Sequence, residues 1–308
     1  DAILAQLLRN SGDAEVLIAG AIGKLDTDGL LSERGSRTPA APAAKSFSGP
    51  ADLGPSPKAG LLFDRTLKET DAEFVTEKTF SVGSDPWLKD HAIAGTPWVA
   101  GVMGLELFAE TAGRLTGLVP AALKDVRFSL PIKLLREKPI AVRAEAVKRG
   151  EEVALELKSD FVTPQGIKLG ASRTHFSALT ASAEPGWSDA PPQPPPASAA
   201  WAVPASGIYA AYFHGPRFQV LAGIKTISEG ELLAVTRRPA EPLWDDAGRT
   251  LVFHPMLIEA AFQACGYRDL HYLKKMTLPD SIGRVQVFRK EPPPETLFIW
   301  VRHTGQED

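Results

Sequence analysis

The stretch that most limits what this chain can fold into is Asp90–Glu106, DHAIAGTPWVAGVMGLE, together with the helix it opens. His91 is followed four residues later by Gly95. Pro97 then blocks an early helix start, because it lacks an N–H and its ring crowds the preceding turn. Gly101 and Gly104 flank Val102 and Met103, where a helix start must pack closely against a neighbour. From Gly101 to Leu115 the residues Val102, Leu105, Phe108, Ala109, Ala112 and Leu115 recur at three- and four-residue spacing, which predicts an amphipathic helix. The result is a histidine on a loop just before a buried helix N-terminus. Free N–H groups and the positive dipole end of such a terminus suit a developing oxyanion. A satisfied core histidine fits the same place, and His91 alone does not choose between the two.

Composition narrows the class. The 308 residues are 44% hydrophobic with a formal net charge of -3, which suits one large or two ordinary soluble domains. Mild acidity gives no footing for a nucleic acid partner. The single cysteine, Cys265, cannot form an internal disulfide, so a reducing cytoplasm is the expected compartment. No apolar run is long enough to span a membrane, and the first residues do not form a signal peptide. The six histidines show no metal-ligand spacing, so no metal site is expected, and no phosphate-cradling glycine loop occurs. The chain opens at Asp1 inside an apparent helix and is expected to be a piece of a longer polypeptide.

Along the chain, residues 1–10 read as the end of an amphipathic helix and Glu15–Ala19 as a short buried strand, half of an α/β unit that cannot fold alone. Residues 32–60, rich in Ser, Pro, Ala and Gly, read as a linker. Strand-like alternation then covers Leu61–Leu67 and Glu73–Val82. After the helix it resumes over Leu123–Ser129, Ile140–Arg149, Val153–Val162 and Ile167–Ser177. Residues 182–200 hold a proline run and read as a second, stiffer linker. The theme repeats: strands at Phe218–Ile224 and Glu231–Arg238, a helix over His254–Leu273, and strands at Ile282–Phe288 and Leu297–Val301. Two copies of helix plus antiparallel strands predict an α+β double hot-dog, each copy a curved sheet wrapped around a central helix. The copies span 61–181 and 201–308, and the second is short of strands.

Several segments then match one family in order. His91 and Gly95 fit its first motif, with Ala100 standing where the family carries proline. Phe128–Lys133 fits the strand that ends in Pro and leads to basic residues. Tyr212-Phe213-His214-Gly215-Pro216-Arg217-Phe218-Gln219 fits a segment that lines the substrate tunnel. Phe253–Gln263 fits a helix start in which Glu259 falls on the catalytic aspartate and Gln263 on its partner, and Leu278–Ile282 fits a further element. From about residue 61 to 308 the chain thus resembles the dehydratase domains of type I polyketide synthases and polyunsaturated fatty acid synthases. Residues 1–31 resemble the tail of a ketoreductase domain, with an N-terminal decoration of the next domain as the other reading.

The resemblance implies dehydration of a 3-hydroxyacyl thioester. His91 is the implied base that takes the Cα proton, since a neutral imidazole suits that step. Glu259 is the implied acid, kept protonated by burial. Glutamate for aspartate adds one methylene, and a misplacement of about 1 Å can cost about 100-fold in rate. Gly95 and Gly101 would offer backbone N–H groups to the thioester carbonyl, and Gln263 would orient Glu259. Tyr212, His214, Gly215 and Pro216 are expected near the substrate, with packing at a strand entry the alternative for Tyr212 and His214. The resemblance implies no cofactor bound by the domain, the phosphopantetheine arm of an acyl carrier protein delivering the substrate. Neighbouring synthase domains and a second copy of the chain are further expected partners. Two other functions stay open: a domain that cyclises or isomerises the acyl chain, and a non-catalytic dimerisation module.

Overall fold

The computed structural model describes residues 2–8, 14–23, 52–58, 60–162, 167–183, 199–245, 248–288 and 296–303. The chain opens with β1 (Ala2–Leu8), β2 (Ala14–Gly23), β3 (Asp52–Pro55), β4 (Arg65–Glu69) and β5 (Glu73–Phe80). The small hairpin β6 (Ala92–Ile93) and β7 (Thr96–Pro97) leads into α1 (Gly101–Thr116). Then come β8 (Leu118–Pro120), β9 (Ala122–Phe128), β10 (Ile140–Arg149), β11 (Glu152–Val162) and β12 (Lys168–Ala181). The second half holds β13 (Val203–Pro204), α2 (Ala205–Ala211), β14 (Leu221–Ile227), β15 (Glu231–Thr236), α3 (Pro255–Leu273), β16 (Leu278–Val287) and β17 (Phe298–His303).

The strands of the two copies join into one antiparallel sheet of 13 strands, in the order β13-β14-β15-β17-β1-β2-β16-β9-β12-β11-β10-β5-β4. The seam is β9 against β16, where Ser281 pairs Arg127 and Gln286 pairs Ala122. One half of the sheet wraps α1 and the other wraps α3, and the two helices touch. This is the expected double hot-dog, with the two sheets continuous through the seam. The helix expected from Gly101 ends at Thr116, where Gly117 takes φ 86° and its N–H closes on the Gly113 carbonyl. A left-handed residue there suits glycine.

Three boundaries differ from expectation. Residues 1–10 give a strand in place of a helix: β1 pairs β17 on one side and β2 on the other. Short apolar runs such as AILAQLL do not distinguish helix from strand, and free backbone edges on both sides settle the matter. The second copy, short of strands by sequence, thereby gains two from the N-terminus. The two halves match position by position from the seam: β12, β11, β10, β5 and β4 on one side; β2, β1, β17, β15 and β14 on the other. The N-terminal hairpin therefore fills the two places that β12 and β11 hold in the first half. Second, residues 52–58 of the expected linker are ordered, β3 pairing β8 and the Ser56 N–H donating to the Gly117 carbonyl. Residues 24–51, and 184–198 of the proline-rich linker, lie outside the described residues. Third, the strand expected from Leu61 begins only at Arg65.

The reason for that last shift lies on α1. Its expected polar side is buried too, with Glu106 and Glu110 inaccessible. Glu110 accepts the Leu62 N–H at 2.7 Å, so the Leu61–Phe63 backbone bonds to a side chain and not to a strand. Glu106 accepts the N–H groups of Val252 and Phe253, just ahead of α3. Burial pushes the Glu106 carboxyl up to about 7, against the two N–H donors that pull it down. Two carboxylates of the first helix thus hold the chain segments that lead into each copy. Gly104 sits directly against the Phe176 ring, which leaves no room for a side chain between α1 and β12.

Candidate active site

The site forms where the loop before α1 meets the segment before β14. His91 and His214 face each other across an antiparallel backbone bridge. Local turns set the first of these. The β6–β7 hairpin turns at Ala94 and Gly95, with φ of 47° and 76°, and returns the chain so that the Trp98 N–H donates to the His91 carbonyl at 2.9 Å. The Trp98 carbonyl lies 3.0 Å from His91 Nδ1. A carbonyl can only accept, so Nδ1 carries the proton and Nε2 keeps its lone pair. Burial pulls the His91 imidazole down to about 4; Glu259 opposes that pull and His214 adds to it. At neutral pH His91 is an uncharged imidazole.

The second segment is fixed by Asp90. Its carbonyl accepts the Gly215 N–H at 2.8 Å, and its carboxylate takes Arg217 Nη1 at 3.2 Å. A side chain at residue 215 would overlap the Asp90 carboxyl, so glycine is required by close approach. His214, one residue earlier, stacks on Phe213 with ring centroids 4.1 Å apart and meets the His91 ring at 5.6 Å.

From α3 comes Glu259, buried at 4% exposure. Its Oε1 accepts from Gln263 Nε2 at 2.8 Å, one helical turn on, and lies 3.2 Å from His214 Nε2. Gln263 is itself held at every polar atom. Its Nε2 also donates to the Phe218 carbonyl at 2.8 Å, and its Oε1 accepts from the Tyr209 hydroxyl at 2.9 Å. The Tyr212 hydroxyl donates to the Gln263 carbonyl at 2.6 Å. Burial pushes both phenols up, so they stay neutral donors. For Glu259, burial alone raises the carboxyl. The hydrogen bond and charge of His214, then His91 and Gln263, outweigh burial and hold the carboxyl below its usual range. This corrects the expectation of a carboxyl kept protonated by burial.

These groups line one cavity of about 130 Å³. His91, Gly101, Tyr212, His214, Glu259 and Gln263 share it, closed by the apolar rings of Phe128, Phe176 and Phe262 and by Met276–Pro279. Gly101, at the first turn of α1, has the Phe128 ring where a Cβ would sit. Three expected contacts fall elsewhere. Gly95 is exposed at the hairpin tip and serves the turn, and Gly215 and Pro216 lie outside the cavity wall. Gly215 holds the two histidine loops together through Asp90, and none of the three lines the cavity. Reading the sequence missed Asp90, Tyr209 and Trp98, which act through backbone atoms or through Gln263. The one available signal for Tyr209 was its place three residues before Tyr212.

A histidine from one half and a carboxylate from the other share a cavity between the two sheet-wrapped helices of a double hot-dog. Residues 60–160 match the family model described as polyketide synthase dehydratase domain, and residues 187–307 the one described as polyketide synthase dehydratase N-terminal domain. The chain belongs to the dehydratase domains of polyketide synthases. It is 28% identical over 207 residues to the pikromycin polyketide synthase component PikAII of Streptomyces venezuelae, covering 65% of this chain and 5% of that protein. The chain thus spans about a twentieth of that relative's length. The dehydratase domain from the CurF module of curacin polyketide synthase superposes with a TM-score of 0.65 at 17% identity, over 81% of this chain and 91% of that one. A dehydratase solved for substrate selection in the borrelidin and fluvirucin synthases gives 0.60 at 19% identity, over 82% and 87%. At such identities the superpositions speak for the fold. No helix among the described residues is long and apolar enough to cross a membrane.

Proposed function

We propose that this domain removes water from a 3-hydroxyacyl thioester carried on the phosphopantetheine arm of an acyl carrier protein, leaving the 2-enoyl thioester. The observation that carries this reading is the fixed tautomer of His91: Nδ1 bound to the Trp98 carbonyl, Nε2 free, in one cavity with Glu259. His91 Nε2 takes the Cα proton; the electron pair closes the double bond; the hydroxyl leaves with a proton from the Glu259 side. The elimination breaks Cα–H and Cβ–O, forms the double bond and releases water with no net oxidation or reduction, so it calls for no nicotinamide. The apolar rings of the cavity suit an acyl chain, and the presence of Gly101, first residue of α1, in the cavity wall supports a helix N-terminus as the partner for developing enolate charge.

The acyl carrier protein, adjoining synthase domains and a second copy of this chain are the partners that fit such a module. The test is water loss from 3-hydroxybutanoyl-N-acetylcysteamine by the 308-residue chain. His91→Ala should lower kcat by about 100-fold or more, in the range expected for a general base. An unchanged rate would remove His91 from the reaction.

A further inference from the structure

Glu259 carries a difficulty that the dyad alone leaves unresolved. An acid must hold a proton when the substrate arrives, yet the surroundings of Glu259 favour the carboxylate. Its Oε1 has two donors, Gln263 Nε2 and His214 Nε2. Gln263 cannot give up its proton; His214 can. Four observations single out His214. It is 92% buried, with 8% exposure. It lines the cavity with His91 and Glu259. Its backbone is locked to His91 by the bridge. Its Nδ1 meets no hydrogen-bond partner among the described residues. An imidazole with one nitrogen on a carboxylate and the other unengaged can carry a second proton without breaking any bond in the site.

We propose that His214 is a positioning residue that stores the proton for Glu259, so that the acid of this domain is the His214–Glu259 pair holding one proton between them. The proposal rests on the dehydration reading above. In the resting pair that one proton lies between the imidazole and the carboxylate. With substrate bound, Cα–H breaks and that proton goes to His91 Nε2; its electrons form the Cα–Cβ double bond; Cβ–O breaks. The leaving oxygen takes the proton from the pair through Glu259 and departs as water, which leaves a carboxylate beside a neutral His214. Proton return from His91 through solvent resets the pair. A charge on His214 also opposes a charge on His91, so one residue keeps the base free and the acid loaded.

The titratable groups that feel the Glu259 charge are His91 from the loop before α1, Tyr209 from α2 and Tyr212 just beyond it, and Cys265 from α3 acts in turn on Tyr212. Arg237 lies over the Tyr209 ring, 5.2 Å from its centroid.

The test compares two leaving groups on the full chain: 3-hydroxybutanoyl-N-acetylcysteamine and its 3-fluoro analogue, whose fluoride leaves with far less need of an acid. His214→Gln keeps an N–H for Oε1 but cannot store a proton. On the hydroxyl substrate it should lose about 100-fold or more in kcat with KM nearly unchanged, and its alkaline limb should move to lower pH. On the fluoro substrate the loss should be less than about threefold. Equal losses on both would overturn the proposal and leave His214 a packing residue. His91→Ala should fail on both; wild-type rates there would sink the dehydration reading itself, a different outcome. Wild-type protein gives an independent measurement if the variant does not fold. The ring nitrogen resonances of His214 and the carboxyl resonance of Glu259 should shift over the same pH step. A carboxyl that titrates with no response from the ring would overturn the proposal.

Discussion

At the scale of single residues, two positions test how tightly the base is held. Ala100 caps α1 with φ -62° and ψ 137°, which proline adopts without strain, and its N–H meets no partner among the described residues. Ala100→Pro should therefore raise stability by about 0.4–1 kcal/mol in urea unfolding, through a less flexible unfolded chain. The departure from the family pattern at this position does not loosen the His91 loop, since the Trp98 carbonyl and β6–β7 turn hold it. His91 itself predicts a pH effect. Its imidazole titrates at about 4 when folded and near 6.5 when unfolded, so the unfolded chain binds more protons between these values. Stability from this group is complete above pH 6.5 and is lost as pH falls towards 4, by on the order of 3 kcal/mol. Glu106, pushed up, acts in the opposite sense over much of that range. The contribution is isolated by comparing wild type with His91→Phe; parallel pH curves for the two would reject it.

At the scale of elements, the site depends on clamps between segments distant in sequence. Glu106 reaches from α1 to the Val252 and Phe253 N–H groups at the approach to α3, which lie 146 and 147 residues further along the chain. Glu106→Leu would leave two buried N–H groups without an acceptor, at roughly 1–3 kcal/mol each. The expected result is a loss of roughly 2–6 kcal/mol in urea unfolding, together with a fall in kcat as the α3 start shifts. A second clamp is the approach of Gly215 to Asp90. Gly215→Ala would push its Cβ into the Asp90 carboxyl and part the His91–His214 bridge. Dehydration should fall at least about tenfold, given how steeply rate depends on placement. Retained rates would show that the bridge tolerates the displacement.

At the scale of the molecule, one sheet runs through both copies, and the N-terminal hairpin stands in the middle of its second half. Its removal would leave β17 and β16 with open backbone edges facing one another. Deletion of residues 1–31 should lower Tm by at least about 5 °C in calorimetry and produce concentration-dependent association in sedimentation. An unchanged Tm with a monomer mass would show that the second half is stable without the hairpin. The seam between β9 and β16 also joins the half that carries His91 to the half that carries Glu259 in one sheet.

What the sequence determined by itself is what local spacing encodes. The helical period from Gly101 to Leu115 placed α1, the alternation at Ile140–Arg149 gave β10 at its observed limits, and four-residue spacing put Glu259 and Gln263 on one face of α3. The family resemblance of the flanking motifs, and not residue type, marked His91 and Glu259 for proton transfer. Only the tertiary structure decided between helix and strand for Ala2–Leu8, because the deciding partners lie almost 300 residues away along the chain. It moved Gly95, Gly215 and Pro216 from the substrate to the scaffold, because a glycine needed for a turn and one needed beside a ligand look alike in sequence. It also decided which way the Glu259 carboxyl is pushed. Burial favours one state and the contact with His214 the other, and that contact joins residues 45 positions apart.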